Sequence, residues 1–483
     1  MRQKIKISDR ILVIASLVYV LLPFVIFCLG FLKFYIAFPA SAFIAWAAYK
    51  CYDSFEYMDS ESSVYSLIGV GFILVGVLLV SGIGEFGFQE VDFYVRNPIF
   101  KALVEEKWPL CIDLSRQTLE VREDIGADIV GFSYYFTYWL PAALFGKITS
   151  MAYANMALLL WTFLGLFILI LNISRITKMD ILFLAVIMFF FAQPDIVGAL
   201  LNGGNRWTFQ HWNPVGIYEG FVASLFLVFN QALPCWVIVV LILRLKDLRN
   251  LAFVASVLFS YSPWCTIGIF PICLYMLYHK KSDFLSVFTI QNVCMPLIVF
   301  FTMGTLYMAN DSEMVKGFIW NFHSSSKLML LMPLLWIVNY TGYLAILYNR
   351  LRTDKIIIVC VIVLFVYSFY QITGVNDFLM RTAIPLLFIL FVYVIDEFMK
   401  SERRKRFFIL GYILVCAYVP YKTLEYHAVM SYFFPEKCRQ WVGTVEHIEC
   451  GDKEGNVRYA RVFDRQFFVH NYNDKFFYKY LAK

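Results

Sequence analysis

Long apolar stretches, each bounded by a few polar or charged residues, recur along this chain from end to end. Thirteen of them read as helices, at about 11–31, 34–50, 64–83, 152–173, 180–193, 229–244, 251–263, 265–279, 284–306, 327–348, 356–373, 382–398 and 407–421. Many approach the ~20 residues that a ~30 Å hydrocarbon core asks of a helix. They lack the alternation of a half-wet strand, and backbone groups in lipid must pair within their own segment, so helices are expected. The two short stretches around Ser262-Pro263 read as half-spans meeting at a proline break. The pattern predicts an all-α polytopic membrane protein of about 13 transmembrane helices, with residues 1–423 forming the membrane domain and 424–483 a small polar tail.

One stretch resists assignment by hydropathy alone. Tyr134-Tyr135-Phe136-Thr137-Tyr138-Trp139-Leu140-Pro141 and its continuation to Lys147 are apolar enough to pass for a span. Its tyrosines and tryptophan suit a membrane–water interface, so 134–147 is expected as an amphipathic helix lying in that interface. It would close a long first outer loop, residues 84–150.

Charge decides between these alternatives. With the N-terminus inside, the cytoplasmic segments receive twenty basic residues, among them Lys4, Lys6, Arg10, Lys50, Arg175, Arg244, Lys246, Arg350, Lys400 and Arg403. The short outer segments receive five: Lys33, Arg206, Lys316, Lys327 and Arg381. Basic residues collect on the cytoplasmic side of short loops, whereas long segments translocate largely regardless of charge. Counting 134–147 as a span would invert every later loop. The expected orientation is N-terminus cytoplasmic and C-terminus extracytoplasmic. The basic stretch Met1 to Arg10 precedes an apolar run with no A-x-A-like cleavage site after it, so it reads as the lead of a retained helix.

Composition agrees. Of 483 residues, 60% are hydrophobic and only 16% charged, whereas a soluble domain is about a quarter charged. The net charge of +6 is topogenic and calls for no nucleic-acid partner; membrane lipid is the partner implied. Most of the eleven cysteines, such as Cys28, Cys235, Cys273, Cys294, Cys360 and Cys416, lie in apolar stretches as small hydrophobes. Cys438 and Cys450 share the polar tail and could form a disulfide in an oxidising compartment.

The chemistry concentrates on the outer face. Glu90-Val91-Asp92 follows the third apolar stretch, and acids at the mouth of a span are a functional-site hypothesis by default. Such a pair can take a proton from a hydroxyl or hold a divalent ion, Mg or Mn. The plain alternative is that both face bulk water or pair with Arg96 or Lys101. The same face carries Arg96 and Asn97, then Asp195, Arg206, His211 and Glu219, then Asn230-Gln231 at a span boundary, and Asn321, His323, Asn376, Asp377 and Arg381. Arg381 heads a span, where a guanidinium can grip a phosphate, although snorkelling to the interface would place it there too. No G-x-x-x-x-G-K-[ST] loop, H-E-x-x-H site or G-x-S-x-G elbow is present.

With Glu90-Val91-Asp92 in a long first outer loop and an interfacial helix after it, the chain resembles the GT-C glycosyltransferases, integral membrane enzymes that use lipid-phosphate-linked sugars. The E-x-D triplet looks like their modified D-x-D motif, and Asp92 to Asn97 with Lys107-Trp108-Pro109 looks like bacterial multi-span members. The resemblance implies a transferase in a bacterial plasma membrane, moving sugar from a polyprenyl-phosphate donor to an acceptor on the outer face. Asp92 would be the base and Glu90 its orienting or metal-sharing partner. Arg96, Arg206, His211, Asn376, Asp377 and Arg381 would bind substrate, with Arg206 or Arg381 neutralising the leaving phosphate. Two spans precede the one that delivers the motif, which departs from the family layout, and no W-W-D-like acceptor motif occurs in the tail. A flippase or transporter of lipid-linked saccharides, or a polymerase, shares the topology.

Overall fold

The computed structural model describes residues 4–58, 61–90, 92–113, 127–196, 200, 216–279, 286–310, 315–322, 326–372, 376–433, 440–443, 448–451, 457–461 and 467–483. The chain is predominantly helical. Its principal helices are α1 (Asp9–Phe31), α2 (Phe34–Cys51), α3 (Val64–Leu79), α4 (Phe93–Glu105), α5 (Leu140–Ile148), α6 (Met151–Thr177), α7 (Ile181–Phe190), α8 (Phe221–Leu243), α9 (Leu251–Tyr261), α10 (Pro263–His279), α11 (Ile290–Met308), α12 (Ser326–Ile346), α13 (Ile356–Tyr367), α14 (Asp377–Lys400), α15 (Arg403–Cys416) and α16 (Tyr418–Tyr432). Every one of the thirteen apolar stretches falls on a helix. Five of these helices, α1, α6, α8, α11 and α14, are long and apolar enough to cross a bilayer singly. The α15–α16 pair, bent by 42°, would make a sixth. Several others, such as α7 and α13, are apolar but shorter.

The bundle is built around α8. Nine-tenths of its apolar window is buried (94%), against 56% for α6 and 61% for α1. A helix hydrophobic all round belongs in the middle of a bundle, and α8 is one. It packs on α1, α6, α14, α9 and α16. Outward-facing side chains such as Phe34, Phe38, Phe72, Leu160 and Phe270 are exposed and apolar, as a surface facing lipid requires. Asn230 and Gln231, expected at a boundary, instead lie midway along α8 and are fully buried. The apolar stretch at 229–244 thus begins eight residues after the helix does. Gln231 accepts a hydrogen bond from the Ser262 hydroxyl (2.8 Å), at the break where extended Ser262 separates α9 from α10.

The helix ends form two polar faces. At one, Asp9 at the start of α1 is buried and receives Arg244 from the end of α8 (2.5 Å), the Met58 N–H (2.6 Å) and Arg175 from the end of α6 (3.6 Å). Arg244 also donates to Asn172 (2.5 Å) and to the Glu56 carbonyl (3.0 Å). Buried charges survive only when paired in this way, and the network ties three helix ends together. At this face β1 (Lys4–Lys6) pairs antiparallel with β2 (Glu61–Ser63), which follows α2 in the chain. Arg350, Asp396, Glu397, Lys400 and Lys405 form a second ion-pair network around the end of α14. The basic residues of both networks, Arg175, Arg244, Arg350, Lys400 and Lys405, are among those assigned to one side by charge.

The other face carries the ends of α1 and α3, the starts of α8 and α14, and the segment between α3 and α6. There β3 (Cys111–Asp113) and β4 (Ile129–Phe132) pair antiparallel, and β10 (Phe468–Val469) adds on the far edge of β4. The last residues dock on the end of α1: Lys33 N–H donates to Leu481 (2.8 Å) and Lys483 N–H to Phe31 (3.0 Å). Two further small sheets are β5 (Lys316–Phe318) with β6 (Tyr370–Ile372), and β7 (Gln440–Gly443), β8 (Ile448–Gly451) and β9 (Val457–Arg461). The stretch 134–147 is helical only from a tight turn at Thr137–Trp139 into α5, and Tyr134 to Phe136 precede it without helical structure. Tyr138 and Trp139 are buried against α1, α6 and α8, whereas Leu144, Phe145 and Ile148 are exposed. The polar segment from 424 begins inside α16, which packs against α8.

Candidate functional site

The acid-bearing segment is shaped by a turn that α3 cannot make by itself. After Leu79 the chain reverses through Gly82, Gly84 and Gly87, all with positive φ. At Gly87 a Cβ would press on the Leu79 carbonyl and on Val80, so only glycine fits there. The reversal is braced by Gln89, whose amide donates to the Gly82 carbonyl (2.9 Å) and accepts from Asn97 (2.9 Å). It delivers Asp92 to the position just before α4, one helical turn from Arg96. Their ion pair is 3.0 Å, with Asp92 partly exposed and Arg96 only 5% exposed.

Glu90 turns the other way. Its carboxylate lies 3.3 Å from Nε2 of His427, which α16 inserts as a fully buried side chain. The other ring nitrogen is 3.0 Å from the Val80 carbonyl, and Phe88 and Phe226 pack on the ring. The Phe88 N–H donates to the Ser431 hydroxyl on the same helix (2.7 Å). Thus α16 clamps the segment from Val80 to Glu90.

Glu219 completes the cluster. It stands two residues before α8 and is buried, and its Oε2 has no hydrogen-bond partner. Burial raises its carboxyl to about 7. The Arg381 guanidinium pulls against that rise, as does Arg96, while Asp92 and Asp377 add to it. Residues from two other segments therefore act on the Glu219 carboxyl: Asp92 and Arg96 at the start of α4, and Asp377 and Arg381 on α14. Tyr134 joins them. Burial holds its phenol well above the ordinary value, the neighbouring Tyr135 adds to this, and both Arg96 and Arg381 oppose it. Arg381 is bonded to Asp377 one turn earlier, which leaves its buried Nε without a partner. Nε and Nη1 of Arg96 are buried and unpartnered as well. The arrangement offers cationic N–H groups and one near-neutral carboxyl in a dry setting, suited to an anion and a transferable proton together.

Of the residues singled out in the sequence, the structure brings together Asp92, Arg96, Asp377 and Arg381. Asn376 has a mainly structural part: it takes a left-handed conformation (φ 53°) and caps α14 by accepting from the Leu379 N–H (3.3 Å). Asn321 lies on an exposed short helix and no feature of this cluster involves it. Arg206, His211 and His323, like Cys438 of the suggested disulfide, fall outside the described residues. Glu90 and Asp92 do not fit a shared divalent ion. One is turned to His427 and the other to Arg96, and among the described residues no three His, Cys, Asp or Glu side chains are grouped to hold a metal. Glu219 and His427 were not singled out as site residues. Glu219 shares the signal that marked Asp92, an acid at the mouth of an apolar helix. His427 carries no such signal, because its role exists only once α16 folds back.

No family model, curated protein or solved structure matches this chain.

Proposed function

We propose that the chain is a membrane glycosyltransferase of GT-C type, moving a sugar from a polyprenyl-phosphate donor to an acceptor hydroxyl on the extracytoplasmic face. The observation that carries this reading is the buried Glu219 carboxyl, near neutral and partly unpartnered, beside two arginines with free guanidinium N–H groups. Arg96 and Arg381 would hold the donor phosphate. As the acceptor oxygen attacks the anomeric carbon, the bond from that carbon to the phosphate oxygen breaks. The hydroxyl proton passes to a carboxylate, and the arginines stabilise the charge left on the phosphate. Asp92, partly exposed, would meet the acceptor, and buried Glu219 would hold or relay the proton. A carboxyl raised toward neutral suits a base working near pH 7. About 13 membrane crossings, counting the shorter apolar helices, belong to this reading.

A transporter of lipid-linked saccharides is the second reading. It is favoured by the α9–α10 break at Ser262, which meets Gln231 beside buried Asn230 deep in the bundle, since broken helices mark transport sites.

The test uses the purified protein in proteoliposomes with a polyprenyl-phosphate-linked sugar. Transfer to a soluble acceptor should fall roughly 10²–10⁴-fold in Asp92→Asn or Glu219→Gln, with thermal unfolding preserved. Flipping without bond formation would favour transport, and full turnover by both variants would remove the site assignment.

A further inference from the structure

A cavity of about 690 Å³ opens at the opposite end of the bundle, far from the cluster around Glu219. Among the described residues it is lined by Lys6, Ser8, Asp9, Arg10 and Tyr57. Lys6 ends β1 and Ser8, Asp9 and Arg10 follow it into α1, while Tyr57 comes from the segment after α2, so two separate segments build its wall. Two of the five side chains are cationic. The single carboxylate, Asp9, is turned inward and occupied by Arg244, Arg175 and the Met58 N–H. Around the rim, Lys246 and Arg10 each stand 5.5 Å from the centre of the Tyr57 ring, and Lys4 pairs with Glu61 (3.6 Å). The floor is the N-terminus of a 23-residue helix, where Ser8 makes no side-chain cap. First-turn N–H groups of such a helix lack intrahelical acceptors and carry partial positive charge.

We infer that this cavity binds a phosphate group, held by Arg10, Lys6 and the start of α1. Its volume greatly exceeds a bare phosphate and matches sites that take a headgroup-sized ligand. Exposed Ile5 and Ile11, flanking the two cations, would meet acyl chains. An anionic phospholipid headgroup and a free phosphate share this chemistry, and basic pockets between helix ends are known to take the former. Whichever source supplies it, the ligand would brace β1 and the Tyr57 segment over the Asp9 network. This inference is independent of the reaction proposed above.

Binding is read on the full-length protein from the rise in thermal midpoint, first with inorganic phosphate in detergent, then in phosphatidylcholine vesicles with and without phosphatidic acid. Arg10→Gln and Lys6→Gln should each weaken binding roughly fivefold, and together about 30-fold, as expected for one surface cation apiece. Lys50→Gln, an exposed cation at the same end but outside the cavity, should leave it unchanged. A response to phosphatidic acid alone, lost in the Arg10 and Lys6 variants, assigns a lipid headgroup; a response to inorganic phosphate, equally lost, assigns free phosphate. Response to neither overturns the inference. So does weakening by Lys50→Gln as large as that by Arg10→Gln, which would mean diffuse surface attraction. If Lys6→Gln misfolds because it ends a strand, the exposed Arg10 decides alone.

Discussion

At the scale of single residues, the decisive one is Glu219, and its burial sets two opposing pH dependences. Its carboxyl stands at about 7 in the folded protein against an ordinary 4.5, so folding favours the protonated acid. The stability this group contributes is complete below its unfolded value and is lost as pH rises through about 7. The thermal midpoint of the wild type should therefore fall between about pH 5 and 8, for a difference on the order of 3 kcal/mol, and Glu219→Gln should flatten that fall. Sugar transfer should change in the reverse sense, rising through about pH 7 as the base ionises, and the Gln variant should lose that rise. A wild-type midpoint that is flat over this range would show that Glu219 is not held in a dry setting. Asp92 could be picked from the sequence because a motif surrounds it. The state of Glu219 could not, since it depends on Arg381 and Asp377, more than 150 residues further on.

At the scale of elements, hydropathy located the helices but not their company. Each of the thirteen apolar stretches overlaps a helix, and five of those helices are long and apolar enough to cross a bilayer singly. Their limits failed where burial in protein replaced burial in lipid. Helix α8 tolerates Asn230 and Gln231 because it is enclosed, and Tyr138 and Trp139 are core residues for the same reason. Contact between helices also depends on residues whose meaning is invisible in sequence. Gly268 of α10 faces α14 so closely that a Cβ would overlap the Thr382 carbonyl oxygen, and the next residue back is Arg381. Backbone cannot rotate away as a side chain can. Gly268→Ala should destabilise the protein by about 1–3 kcal/mol and, by pushing on α14, weaken the Arg381 site. Gly411 on α15 meets nothing within 4 Å, so Gly411→Ala should be neutral or gain up to about 1 kcal/mol. Equal midpoints for the two variants would contradict this packing.

For the whole molecule, the two polar faces sort the charged residues as the basic-residue count does. Lys33 lies with the C-terminal residues at one face, and Lys50 lies across α2 at the other, with Ser401 beyond the end of α14. A membrane-impermeant thiol reagent applied to intact cells should label Lys33→Cys above the wild-type background. It should not label Lys50→Cys or Ser401→Cys until the membrane is opened. The reverse pattern would turn the molecule over and place the Glu219 cluster inside the cell. The expected orientation rests on basic-residue counts over many loops, which this labelling checks. The convergence of the α4 start and α14 on the Glu219 carboxyl was not legible in the sequence, because no local pattern encodes it.

The docking of the last residues onto the end of α1 has a consequence for how the molecule is made. Strand β4 receives one neighbour, β3, from nearby sequence, but its other neighbour, β10, is synthesised more than 300 residues later. Until then the edge of β4 stays open, and the N–H of Lys33 has no Leu481 to bond. Contacts of such long range are slow to form, and open strand edges invite pairing with other chains. The helices can therefore be inserted and packed in order along the nascent chain, while the face that carries Asp92 and Glu219 stays unfinished until the final strand leaves the ribosome.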